Sequence, residues 1–322
     1  MRRLYLTLVF VSIFLVGTII AYHEHQTTPN AQNSETPIEP CFVQEYFGDL
    51  KGITPVAEFG DVKIYSTENG YVIDNGKSRR FLNADNAFFF DWGFIVVRNT
   101  TTKMTVPLVL YQIDANSVVN ISVRSVTSDV LVKVLTGCTY DGKPLWNLTF
   151  SGYAWAYDGG KYGVKANGTA LPALLVTNTS DYLYVLVYQT SPRQFSNLRR
   201  YAPDDYFYII GENGTVRKFD LGGGAVPIRN TFLVSNGSYV LMGFEKPQLD
   251  GSPSVGQVMI LNGTEVIFQR LFRMNDPTCL CHIIPGWGRI DKKGCAVFGL
   301  YTGEGRYCNG EFTYMEDSTG ES

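Results

Sequence analysis

The feature that most constrains this chain is the way its apolar runs are cut short. After residue 40, runs rich in Val, Ile, Tyr, Phe and Leu last only four to eight residues before Gly, Asn, Asp or Pro interrupts them. Examples are VKIYS (62–66), FIVV (94–97), PLVLYQI (107–113), VVNISV (118–123), VLVKVL (130–135), YLYVLVYQ (182–189), YFYII (206–210), TFLV (231–234), YVLMGF (239–244) and QVMIL (257–261). β-branched and aromatic side chains fit a pleated, half-buried surface, and the interrupting residues are those that turns require. No apolar stripe at helical spacing extends ten residues beyond residue 40; the nearest, around Arg193 to Arg200, is short and flanked by Pro192 and Pro203. The pattern predicts an all-β domain.

Turn signals recur with some regularity. They sit at Asp74-Asn75-Gly76, Ala115-Asn116-Ser117, Asp158-Gly159-Gly160, Glu212-Asn213-Gly214, Asn262-Gly263 and Asn309-Gly310. Asn-Gly is a strong two-residue hairpin signal because both central residues accept positive φ. From Asn75 the steps between turns are 41, 42, 55, 49 and 47 residues. A four-stranded propeller blade uses about 40–50 residues. The expectation is therefore a β-propeller of six four-stranded blades over residues 41–315, with a tandem or large β-sandwich as the alternative. VLYQIDANSVVNISV (109–123) and YDGKPLWNLTF (140–150) resemble blade segments of quinoprotein-like β-propellers, with Trp146 where that family has its docking tryptophan. The resemblance implies an architecture spread over most of the domain; it implies no activity, because function does not follow from architecture.

The N-terminus carries a different signal. Arg2 and Arg3 precede an uncharged apolar run of nineteen residues, Leu4–Tyr22. At about 1.5 Å per residue it spans roughly 28 Å, close to the hydrocarbon thickness of a bilayer. Charge before the run and none soon after favours an outside C-terminus. The run reads as a transmembrane signal anchor, with a signal peptide cut after Ala21 as the alternative. Residues 23–40 are polar, contain three prolines and read as a flexible stalk; residues 316–322 read as a disordered acidic tail. These features predict a single-pass membrane protein whose C-terminal domain is extracellular, or a secreted form of it, with the membrane as partner through residues 4–22.

Charge, cysteines and sequons bear on the same point. Leaving out Arg2 and Arg3, the 27 basic residues become 25, against 30 acidic ones. A net negative domain argues against nucleic acid as a partner. Two local basic groups, Lys77 with Arg79 and Arg80, and Arg199 with Arg200, read as solvated faces. All six cysteines, Cys41, Cys138, Cys279, Cys281, Cys295 and Cys308, follow the apolar run, and an even number in an exported chain predicts disulfides. Joining Cys41 to the C-terminal part would tie the chain ends together. Free thiols are one alternative, and a zinc site of Cys279, Cys281, His282 and Cys295 is another, but its spacing is irregular, so no metal is expected. Eight N-x-[ST] sequons, at Asn99, Asn120, Asn147, Asn167, Asn178, Asn213, Asn236 and Asn262, predict a glycosylated exterior.

Residues suited to catalysis are sparse. His282 is the one histidine beyond the stalk, and no G-x-S-x-G elbow is present. GCTYDGK (137–143) has phosphate-loop spacing, but Pro144 stands where Ser or Thr would hold magnesium. Asp91, Asp204 and Asp205 are the carboxylates that could work beside aromatic rings, as glycosidases require. Asp91, Trp92, Trp155 and Trp287 lie beside turns or glycines and are the candidate binding residues. No cofactor is expected. The sequence favours a membrane-anchored extracellular glycoprotein that binds a protein or glycan ligand at the cell surface, and leans away from an enzyme. An extracellular enzyme acting on glycans or small molecules at the propeller mouth is one alternative. A structural component of a cell envelope or surface appendage is the other.

Overall fold

A computed structural model describes Cys41 and residues 44–84, 86–114, 117–158, 165–170, 172–188, 205–222, 231–246, 255–272, 285–300 and 303–316. The chain separates into two units, Met1–Pro37 and Ile38–Ser322, and all described residues belong to the second.

The all-β expectation holds. Each of the ten quoted apolar runs contributes to a strand, two of them to β7 and two to β8, and no helix occurs among the described residues. The first sheet is formed by β1 (Gln44–Glu45), β2 (Ala57–Phe59), β3 (Val62–Thr67), β4 (Gly70–Asp74) and β5 (Arg79–Leu82), in the order β1-β5-β4-β3-β2. The second contains β6 (Asn86–Phe90), β7 (Gly93–Asp114), β8 (Ser117–Cys138), β9 (Pro144–Ser151), β10 (Tyr153–Asp158) and β11 (Lys165–Ala170). Three four-stranded meanders follow. They are β12 (Ala173–Asn178) to β15 (Gly214–Gly222) through β13 (Leu183–Tyr188) and β14 (Asp205–Gly211); β16 (Thr231–Asn236) to β19 (Glu265–Phe272) through β17 (Tyr239–Lys246) and β18 (Val255–Asn262); and β20 (Pro285–Ile290) to β23 (Glu311–Glu316) through β21 (Ala296–Leu300) and β22 (Gly303–Cys308). The turn chemistry explains the hairpins. Between β22 and β23, Asn309 and Gly310 both take positive φ, at 52° and 86°, the geometry whose twist matches two antiparallel strands.

Apolar patterning places the core. Central strands are buried on both faces, as in β13, where LYVLVY is buried throughout. Strands at sheet edges alternate, as in β19. Each sheet packs on the next in chain order. Leu82 and Ile73 meet Phe94 and Val96 between the first and second. Phe90 and Leu135 meet Val185 and Ile210 between the second and third. Phe207 and Leu186 meet Met242 and Phe244 between the third and fourth. Leu241 and Ile260 meet Phe298 and Ile290 between the fourth and fifth. Trp146 adds a polar tie, its Nε1 donating to the Glu212 carbonyl at 2.7 Å.

The propeller expectation is overturned. Among the described residues five separate sheets are present instead of six blades, and neither a strand ladder nor a buried cluster joins the fifth sheet to the first. The likeness to quinoprotein-like repeats falls with it. Residues 109–123 are not a blade segment; they form the distal part of one hairpin in which β7 and β8, 22 residues each, pair along their length. Near its base the hairpin is flanked by β6 and β9, and further out β10 pairs with β7 in parallel, Ala154 opposite Leu108. The spacing of turns counts hairpins, and one long hairpin consumes residues assigned to two blades. The five sheets also differ from the two stacked pairs of a tandem sandwich.

The membrane expectation is likewise not sustained. Among the described residues no helix is long and apolar enough to cross a membrane. Leu4–Tyr22, on which the anchor, the membrane partner and the single-pass location rest, lies outside the described residues, as do the stalk and residues 317–322.

Candidate functional site

The cysteines organise the N-terminal end of the described chain. Cys41 is disulfide-bonded to Cys138, 97 residues away at the end of β8, and Cys295 to Cys308, 13 residues away. Cys41 thus joins the second sheet and not the C-terminal part of the chain. Cys295 is taken by Cys308, which removes it from the alternative zinc set; Cys279, Cys281 and His282 lie outside the described residues. Both half-cystines of the first bridge are buried among Ile73, Leu82, Phe94 and Val96.

Beside this bridge, polar contacts fix the β4–β5 turn. Asp74 Oδ1 accepts from the Gly76 amide at 3.0 Å, and Asn75 Oδ1 accepts from the Lys77 and Ser78 amides at 3.1 and 2.9 Å. These are the local bonds by which Asx side chains stabilise turns. Asp74 Oδ2 then pairs with Arg79 Nε at 2.8 Å. Burial by itself would raise the Asp74 carboxyl. The Arg79 and Gly76 hydrogen bonds, with the Arg79 and Lys63 charges, outweigh it and bring the carboxyl below its ordinary value. The turn is also tied to the second sheet, since Arg80 donates to the Asp141 carbonyl at 2.7 Å and Asn75 Nδ2 reaches Asp141 Oδ1 at 3.4 Å.

The segment after β1 forms the facing wall. The Tyr46 amide donates to the Arg79 carbonyl at 2.9 Å. Tyr46 turns inward to Phe81, with ring centroids 6.5 Å apart, and joins Leu50, Tyr65 and Val72. Gly48 leaves the Tyr46 ring its place, since a Cβ there would press on that ring. The next residue, Phe47, is 90% exposed, the largest exposure among the described large apolar side chains. Between wall and turn lies an open groove of about 520 Å3, bordered by Glu45, Phe47, Asp74, Lys77, Ser78 and Arg79.

The residues singled out from sequence are elsewhere and apart. Asp91 is exposed in the β6–β7 turn. Trp92 lies flat on Phe90, centroids 5.1 Å apart, and packs into the interface with the third sheet, its buried Nε1 without a hydrogen-bond partner. Trp155 covers Gly168 across the β10–β11 pair. Trp287 is 46% exposed, with the Arg289 guanidinium 5.9 Å from its ring centre. No shared site unites these four. Asn99, Asn167, Asn178, Asn213 and Asn262 are exposed, Asn147 and Asn236 half-buried, and Asn120 falls within β8. Asn236 Nδ2 donates to the Ile290 carbonyl at 3.1 Å, and the Asn147 Oδ1 is buried without a partner. Asp204, Arg199 and Arg200 lie outside the described residues. The groove instead uses Lys77 and Arg79, which the sequence presents as a solvated face. The one signal for Phe47 is an aromatic pair, Tyr46-Phe47, followed directly by Gly48.

Compared with known proteins, the sequence matches no family model and no curated protein.

Proposed function

We propose that this protein is a structural component of an extracytoplasmic surface, an envelope layer or an appendage. The observation that carries this reading is the hairpin β7–β8. It extends beyond the strands that flank its base and is held further out by a second set, so one uninterrupted ladder ties two strand groups together. The two disulfides among the described residues fit an oxidising compartment, where such bonds persist. Sequons on exposed loop and strand positions fit the same exterior. A glycan-cleaving enzyme needs a carboxylic acid that still holds its proton near neutral pH. Asp74, one of the two carboxylates at the groove, is shifted the other way.

The test is assembly. Purified chain is examined by light scattering and negative-stain electron microscopy across a concentration series. Ordered polymers or sheets are expected; a protein that stays monomeric throughout and hydrolyses a glycan would overturn the reading. Intact mass with and without reduction and deglycosylation then reports whether the cross-links and sugars are present.

A further inference from the structure

The groove beside Phe47 has the chemistry of a saccharide site. Two carboxylates, Glu45 and Asp74, and two cations, Lys77 and Arg79, border it, so its formal charge balances. A balanced set of acceptors and donors suits a neutral polyhydroxylated ligand; a polyanion would meet two repelling carboxylates. The volume of about 520 Å3 falls within the roughly 300–1,000 Å3 typical of small-ligand sites. Its lining, however, is mainly polar and its side is open, which suits a sugar chain running through it better than an enclosed apolar molecule.

The donors and acceptors are already fixed. Arg79 uses Nε on Asp74, which leaves its terminal amino groups for a ligand. Each Asp74 oxygen has one described partner and keeps a lone pair, and hydrogen bonds to an ionised group are the stronger kind. The turn and the wall are each held by backbone bonds, so little ordering cost remains for binding. The ring of Phe47 stands in water, unused by the core. It offers the apolar face on which the C–H side of a pyranose stacks. We infer that this groove binds an uncharged oligosaccharide, with one sugar ring on Phe47 and its hydroxyls bridging Glu45 on the wall to Asp74, Lys77 and Arg79 on the turn.

The experiment is a calorimetric titration of the full chain with cellohexaose, chitohexaose and mannohexaose, and with a heparin hexasaccharide as the charged comparison. At least one neutral hexasaccharide is expected to bind, with an affinity that added salt leaves nearly unchanged. Phe47→Ala is expected to weaken that binding by about tenfold, in line with the loss of one ring contact. Arg79→Gln should weaken it as well. Phe47 is exposed, so its replacement leaves the thermal midpoint where it is, and a fall in affinity is not a fall in folding. The inference is overturned if no neutral hexasaccharide binds, if binding survives both substitutions, or if heparin alone binds and salt removes it. Because sugar binding is read on the chain in solution, failure here leaves the assembly test untouched, and failure of assembly leaves this one untouched.

Discussion

The third and fourth sheets are held together differently from the first and second. Between the third and fourth, six buried side chains from each side interlock, with Leu186, Phe207, Val240 and Phe244 all at 0% exposure. Between the first and second, the apolar contact is thinner: Ile73, Leu82 and Ala84 meet Phe94 and Val96, and the Cys41–Cys138 bridge lies in their midst. The first sheet also bears Phe47, Ile53 and Val56 on its exterior. Where apolar area is plentiful, packing suffices. Where it is scarce, a covalent link replaces it, and the side chains released from core duty can meet a ligand. The groove lies on the stapled side for that reason.

Breaking the staple should have the largest effect. In the chain-entropy account, opening a loop of about 100 residues costs about 4.7 kcal/mol, and the Cys41–Cys138 bridge spans 97. Replacing both cysteines with serine should lower stability in guanidinium titration by about 4 kcal/mol. Hydrogen-exchange protection should fall first in β3–β5 and persist in β13, β14, β17 and β18. Uniform loss across all of these would mean the two regions are not held differently. Next comes Leu186→Ala in β13. Truncating a fully buried leucine costs about 2–5 kcal/mol, and here the protection of both the third and fourth sheets should drop together, because the cavity opens in their shared core.

This division also explains what could be read from the sequence. Strand content was legible because short β-branched and aromatic runs between turn residues leave few other folds, and every quoted run contributes residues to a strand. The sheet count was not. Thr100-Thr101-Thr102-Lys103 and Ser125-Val126-Thr127-Ser128-Asp129 look like breaks, yet they are the middle of β7 and β8, with Thr105 and Thr127 hydroxyls 2.9 Å apart across the pair. Threonine and serine serve an exposed strand face as well as they serve a turn, and local composition does not distinguish the two. The even cysteine count suggested disulfides, but pairing depends on which strands become neighbours. The site was hidden for a related reason. Tryptophans beside turns suggest ligand contacts, whereas Trp92 and Trp155 are spent on packing, and the groove draws on residues about thirty positions apart whose meeting depends on β1 pairing with β5.

Alkaline pH offers a milder way to separate the regions. Burial raises the phenols of Tyr184 and Tyr208, on the third sheet, and of Tyr140, at the first–second junction; that of Tyr184 is pushed up to about 12. An unfolded tyrosine ionises near about 10. The folded chain therefore keeps protons that the unfolded chain loses, so stability is whole below pH of about 10 and declines as pH climbs toward about 12. Phenolate absorbance should lag in the folded protein and jump on unfolding. Tyr208→Phe removes one such phenol and should make the alkaline decline shallower, with a change at neutral pH under about 1 kcal/mol. An unchanged slope would mean that this phenol ionises in place.

The smallest effect belongs to the Asp74–Arg79 pair, and it tests the comparison most directly. Arg79 is exposed and Asp74 half-buried, and ion pairs open to solvent add little to folding because water and salt screen them. The depressed carboxyl contributes stability that is present above its unfolded value of 3.8 and lost as pH falls through the lower folded value. Asp74→Asn should therefore lower the denaturation midpoint at neutral pH only slightly, and the difference from the native chain should shrink as pH falls through the folded value. By carboxyl-carbon NMR, the native Asp74 should titrate below 3.8. If Asp74→Asn instead shifted the midpoint as the loss of Cys41–Cys138 does, the first sheet would owe its place to the polar contacts of its turn and not to the staple. If the midpoint barely moves while saccharide affinity falls, the polar groups of this groove are nearly free of structural duty, which is the condition that lets them serve a ligand.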